Sequence, residues 1–126
     1  MRSLLASFIA LFIIGCGAAG APDWTLMPPS DGKIYGVGSS PIHVKGQTFQ
    51  RALAVSRAID EIASQKKVKV TSTLERAESI AASGKVFSAA QKYSVQTVEG
   101  QDVSAQIKEI YQDPRSKRIF VLMISN

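Results

Sequence analysis

Six consecutive apolar residues, Ile119 to Ile124, sit almost at the end of the chain, within a run from Arg118 to Ser125 that reads as a strand. Alternate side chains of a strand point to opposite faces, so Ile119, Val121 and Met123 share one face and Phe120, Leu122 and Ile124 the other. Both faces are apolar, as expected for a central strand covered on two sides. Whatever fold the chain adopts must therefore bring two layers to this strand.

One layer is legible upstream. Between Gln47 and Lys66, Phe49, Ala52, Val55, Ile59 and Ile62 recur at intervals of three and four. Ala63 lies inside this stripe and Leu53 at its margin, while Gln50, Arg57, Asp60, Glu61 and Ser64 take the opposite side. The spacing predicts a helix of about eighteen residues, ~27 Å long. Its alanines favour helix formation and allow it to lie close on a sheet. One helix covers one face only. The second cover is then the Leu74–Gln91 arm, a neighbouring subunit, or both. The arm is weakly hydrophobic, which favours the subunit.

The remaining segments read as strands and turns. Lys33 to Gly38 alternates as a first strand that ends in glycines and leaves into a tight loop. Its Gly36-Val37-Gly38 lacks the third glycine and the Lys-Ser/Thr pair of a phosphate loop. Val68, Val70 and Ser72 alternate with Lys67, Lys69 and Thr71 as a strand following the long helix. Leu74 to Ser83 has a short helical pattern stopped at Gly84, and Val86 to Gln91 fits helix or strand equally. Tyr93 to Val98 is extended, and Gly100 marks a turn. Val103, Ala105 and Ile107 alternate until Glu109-Ile110 slips by one, the signature of a β-bulge. Asp113-Pro114-Arg115-Ser116 is a turn. The fold class is α+β: a small antiparallel sheet of about four to five strands with one long helix on one face.

The N-terminus carries a different message. Arg2 precedes an apolar stretch of about eleven residues, Leu4 to Ile14, too short for the roughly twenty a spanning helix needs. It fits the hydrophobic region of a secretory signal. The stretch ends in Ile13-Ile14-Gly15-Cys16, and Cys16 is the sole cysteine among 126 residues. This tetrapeptide resembles a bacterial lipobox. The resemblance implies cleavage between Gly15 and Cys16, a diacylglycerol on the thiol and an N-acyl lipid on the new amino terminus. One acyl chain, at ~0.8 kcal/mol per buried methylene, anchors marginally, and two or more anchor stably. Gly17, where an aspartate would favour inner-membrane retention, points to the outer membrane. The chain divides into a signal peptide at 1–15, a lipidated N-terminus and linker at 16–31, and a domain at 32–126. Trp24, inside the linker, is expected on the domain edge or at the lipid interface.

Several motifs together resemble one family. They are Cys16, Pro22-Asp23-Trp24, Ile34-Tyr35-Gly36-Val37-Gly38-Ser39, the alanine-rich helix ending Ile62-Ala63, Val68-Lys69-Val70, Gly100-Gln101-Asp102-Val103, Tyr111-Gln112-Asp113-Pro114 and Ile119-Phe120-Val121-Leu122. They resemble the bacterial Lpp-twenty lipoprotein family, which includes a flagellar outer-membrane lipoprotein. The resemblance implies a strand–helix–strand–strand (SHS-two-like) domain that assembles into rings or discs. It also marks Trp24, Tyr35, Gly36 and Gly38 as family-motif positions with a structural role.

Chemistry points away from catalysis. The single histidine, His43, follows Pro41 in an expected loop, and the single cysteine is expected to be acylated, so no nucleophile has a base. One histidine cannot furnish a metal cluster, and no catalytic residue, metal or cofactor is expected beyond the lipid on Cys16. Asp60 and Glu61 diverge by about 100° on a helix and make a poor acid/base pair. Glu75 and Glu78 read as surface partners of Arg76 and Lys85. The net charge of +5 is spread without a run of more than two cations, so no nucleic acid is expected. The expectation is a non-enzymatic lipoprotein of the outer membrane, its domain on the periplasmic side. It would self-associate in an envelope assembly, a flagellar basal disc or ring being one instance. The alternative is a monomeric module binding a periplasmic protein or cell-wall ligand.

Overall fold

The computed structural model describes residues 20–70, 73–84 and 87–126; the lipobox residues Ile13, Ile14, Gly15 and Cys16 lie outside them. A single 3-10 turn at Asp23–Thr25 comes first. Then follow β1 (Tyr35–Ser40), α1 (Gln47–Gln65), α2 (Thr73–Ala82), β2 (Lys92–Gln96), β3 (Asp102–Gln112) and β4 (Ile119–Ser125). The strands form one antiparallel sheet in the order β1-β4-β3-β2. The fold is α+β, with the long helix packed on one face. The all-apolar β4 is central, paired with β1 from Ser40↔Ile119 to Tyr35↔Ile124 and with β3 on its other side.

The main core lies between α1 and the sheet. Ile119, Val121 and Met123 of β4, Ala105 and Ile107 of β3, and Tyr93 and Val95 of β2 meet Val55, Ile59 and Ile62 of α1. The helix buries more of itself than its stripe predicts, because Ala54, Ser56 and Ala58 are also buried. Ala54 and Ala58 lie against β1, opposite Gly36 and Gly38. The two glycines are thus inside the strand, not at its exit. Lacking a Cβ, they let the α1 backbone approach. Gln50, expected on the solvent side, is buried, and its side-chain amide donates to Ser40 O (3.1 Å) and Lys117 O (2.7 Å). That pair of bonds ties the end of β1 to the turn before β4 and satisfies the amide.

Two further expectations change. The residues after α1 do not form a strand: Val70 makes one isolated bridge to Thr97, and α2 starts at Thr73, with Thr71 and Ser72 outside the described residues. The first of these residues close the end of α1 instead, with Lys67 at φ 56° and Val68 N donating to Ala63 O at 3.0 Å. The arm, in turn, does not cover the second face of the sheet. α2 packs beside α1, where Ala77, Ala81 and Phe87 join the main core. Thr73 Oγ1 donates to Asp60 Oδ1 at 2.7 Å and holds the junction closed. Phe87 stacks on Tyr93, with ring centroids 5.4 Å apart. Residues 90 and 91 enter β2 together, Ala90 N donating to Ile107 O and Ile107 N to Gln91 O.

The register slip in β3 is present, between Ile107 and Glu109. It leaves Lys108 as the extra residue and aims it across the sheet, its Nζ 5.1 Å from the centre of the Tyr35 ring. The predicted turn also forms: Asp113 Oδ1 accepts from the backbone N–H of Arg115 (2.8 Å) and Ser116 (3.3 Å).

Candidate functional site

The face of the sheet turned away from α1 is the most distinctive surface of the molecule. Strand alternation places Tyr35 and Val37 of β1, Phe120, Leu122 and Ile124 of β4, and Tyr111 of β3 on it. Tyr35 and Leu122 are buried there because Trp24, 8% exposed, lies over them. Val37, Tyr111, Phe120 and Ile124 surround this nucleus and are only half-covered. The Tyr111 and Phe120 rings lie 6.1 Å apart. The rest of the face is polar: Lys92, Ser94 and Gln96 from β2 pair with Gln106, Ser104 and Asp102 of β3. The face is therefore split, its apolar half over β1 and β4 and its polar half over β2 and β3.

Trp24 owes its position to the 3-10 turn. Thr25 donates to Pro22 O through its N–H (3.0 Å) and its hydroxyl (2.8 Å), closing the turn over the sheet. Just beyond it, Leu26 and Met27 stand 92% and 74% exposed and extend the apolar surface. The indole Nε1 is buried with no hydrogen-bond acceptor among the described residues. Such a donor costs free energy until something supplies an acceptor.

The nucleus is flanked by a small polar network. Tyr35 Oη donates to Asp31 Oδ2 at 2.7 Å, and Lys108 Nζ approaches the same hydroxyl at 3.5 Å. The phenol, with the Lys33 N–H behind it, holds the Asp31 carboxyl below its usual range. The same hydrogen bond, with burial second, pushes the Tyr35 hydroxyl up. The network holds the Tyr35 ring in place beside Asp31 and Lys108.

The border of the sheet beside this face is occupied. Tyr35, Val37 and Ser39 direct their backbone groups outward from β1, since the neighbouring residues pair with β4. Gln65 Nε2 of α1 donates to Tyr35 O and Arg57 Nη1 to Ser39 O, each at 2.6 Å. Two outward carbonyls are thus capped from the helix.

A second concavity, of about 230 Å³, is lined by Gln47, Thr48, Arg51 and Phe87. It is smaller than the ~300 Å³ at which ligand pockets begin. Arg51 Nη1 there donates to Phe87 O at 3.0 Å and clamps that loop to α1. His43 lies in the loop after β1, stacked on Phe49 at 5.9 Å, with its Nδ1 accepting from Lys45 N.

Of the residues marked in the sequence, the structure brings Trp24 and Tyr35 together on the open face and places Gly36 and Gly38 on the opposite, helix-facing side. Ile13, Ile14, Gly15 and Cys16 lie outside the described residues. Sequence reasoning missed Tyr111, although carrying the alternation past the bulge sets it beside Phe120. It also missed the capping roles of Arg57 and Gln65, for which no sequence signal exists. Among the described residues, no helix is long and apolar enough to cross a membrane. No family model, curated protein or solved structure matches the chain.

Proposed function

We propose that this protein is a non-enzymatic lipoprotein, held at the periplasmic side of the outer membrane by lipid on Cys16, that self-associates within an envelope assembly. The observation that carries the reading is the apolar half-face, where Val37, Tyr111, Phe120 and Ile124 stay half-exposed around a buried tryptophan whose N–H lacks an acceptor. A second copy supplies an apolar cover for those half-exposed side chains. Phe120, Tyr111 and Trp24 are of the residue types that dominate such contacts. Membrane tethering raises the effective concentration of neighbours, so a modest face suffices. The Lpp-twenty resemblance supports a flagellar basal disc or ring as the assembly.

Two experiments test this. Mass spectrometry of protein from bacterial membranes should find a diacylglyceryl, N-acylated Cys16 at the amino terminus, and Cys16→Ala should abolish both the mass shift and membrane retention. A bare thiol with an intact leader removes the anchor. Sedimentation of the lipidated protein should show concentration-dependent association, lost on Phe120→Asp with unchanged circular dichroism. A strict monomer at high concentration transfers the proposal to a binding module. In a strain that lacks the protein, normal swimming with intact flagella would sink the flagellar assignment.

A further inference from the structure

We infer that the end of the domain formed by the β1–α1 loop and the β3–β4 turn is a docking surface for an anionic lipid headgroup layer. The two loops are built as one unit. Gln50 bonds both Ser40 O and Lys117 O, Gln47 Nε2 donates to Gln112 Oε1 at 2.9 Å, and Gln112 Nε2 donates to Lys117 O at 3.2 Å. From this unit Ile42 and Val44 project 66% and 100% exposed. Lys45, Arg115 and Lys117 are exposed beside them.

Cations outnumber side-chain carboxylates in this unit. No carboxylate occurs between Gly32 and Ile59, and Asp113 is the only one from Ile110 to the end of the chain. Asp113 spends its Oδ1 on the N–H groups of Arg115 and Ser116. The opposite end of the sheet carries both signs, with Lys66, Lys67 and Lys69 after α1 and Val98 N bonded to Lys69 O. There the exposed Val98 neighbours Glu99, and Asp102 opens β3.

Exposed aliphatics ringed by cations match a bilayer interface, where the methyl groups enter the acyl boundary and the ammonium and guanidinium groups meet phosphates. Single-stranded nucleic acid rewards exposed aromatic platforms instead. The tip's rings, His43 and Phe49, are stacked on each other. The inference stands apart from self-association, which uses the face of the sheet, and it does not require acylation of Cys16.

Depth measurement on the full chain tests it. Cys16→Ser leaves an introduced thiol as the sole label site. A fluorophore at Val44→Cys is compared with one at Val98→Cys, on phosphatidylcholine vesicles with or without phosphatidylglycerol, using doxyl-lipid quenching. With phosphatidylglycerol, quenching at 44 should be about twice that at 98 or more. It should fall to the level at 98 in the Lys45→Glu, Arg115→Glu, Lys117→Glu variant. It should also fall in the unreversed protein at about 0.5 M salt, which tests the charge term without relying on the variant's folding. Equal quenching at both sites overturns the inference, as does full quenching at 44 without phosphatidylglycerol. Heparin binding with no lipid quenching at 44 overturns it in favour of a soluble polyanion.

Discussion

At Gly38, a methyl group built on the Cα would land on the Ala54 carbonyl and 2.5 Å from Ala58 N; at Gly36 it would meet the Ala58 carbonyl and Ile62 Cγ1 at 2.8 Å. Backbone atoms cannot step aside as a flexible side chain can. Gly38→Ala and Gly36→Ala should each destabilise the protein by about 2–3 kcal/mol, read as a lowered thermal midpoint, whereas Gly32→Ala meets no neighbour and carries only the backbone strain of its φ of 84°, about 1 kcal/mol. The sequence shows glycines in a strand, but space-making and loop-making glycines look alike until the helix is in place. Gln50 was illegible for a related reason, since its two carbonyl partners lie in separate loops. pH tests another residue-scale feature. Asp31 and Asp113 are held below the ordinary 3.8 by donated hydrogen bonds, from Tyr35 and the Arg115 N–H respectively. Their contribution is present above that value and is lost as pH falls through the depressed one. Tyr35, raised by its bond to Asp31, and Tyr93, raised by burial, contribute below pH 10.0 and lose that contribution as pH rises beyond it. The thermal midpoint should therefore drop below about pH 3.8 and above about pH 10, with Asp31→Asn flattening part of the acid limb.

Among the elements, β4 was the most informative in the sequence, because two apolar faces admit only a central position. The long helix was equally legible, since its stripe repeats over nearly four turns, from Phe49 to Ala63. The extended reading of 67–72 failed because alternation records burial, not pairing: Val68 and Val70 pack against the core without a strand partner beyond one bridge. The placement of α2 was illegible for want of any residue that distinguishes packing on α1 from packing on the sheet. The border of β1 yields a prediction of its own. With Arg57→Ala and Gln65→Ala together, the Tyr35 and Ser39 carbonyls lose their caps, and an uncovered border recruits foreign strands. The double variant should melt within about 1 kcal/mol of the parent yet scatter light and bind thioflavin on incubation, whereas Phe120→Asp should not.

For the whole molecule, the division of labour between the two faces decides how mutations act. Substitutions under α1 should weaken folding, while on the proposed reading those at Val37, Phe120 or Ile124 should alter association with a smaller effect on the fold. Trp24 belongs to both classes, because it closes over Tyr35 and Leu122 and also forms the centre of the open patch. Trp24→Ala should cost about 3 kcal/mol and abolish self-association together, the first read by denaturant midpoint and the second by sedimentation. Tyr35→Phe separates them by removing only the hydroxyl bonded to Asp31.

The caps that Arg57 and Gln65 place on β1 also govern shape at larger scale. With two of its outward carbonyls already answered by its own helix, the β1 flank is a poor template for a foreign strand, and lengthwise addition there must first displace Arg57 and Gln65. What is left to a second copy, on the proposed reading, is broadside contact through the apolar half-face around Trp24.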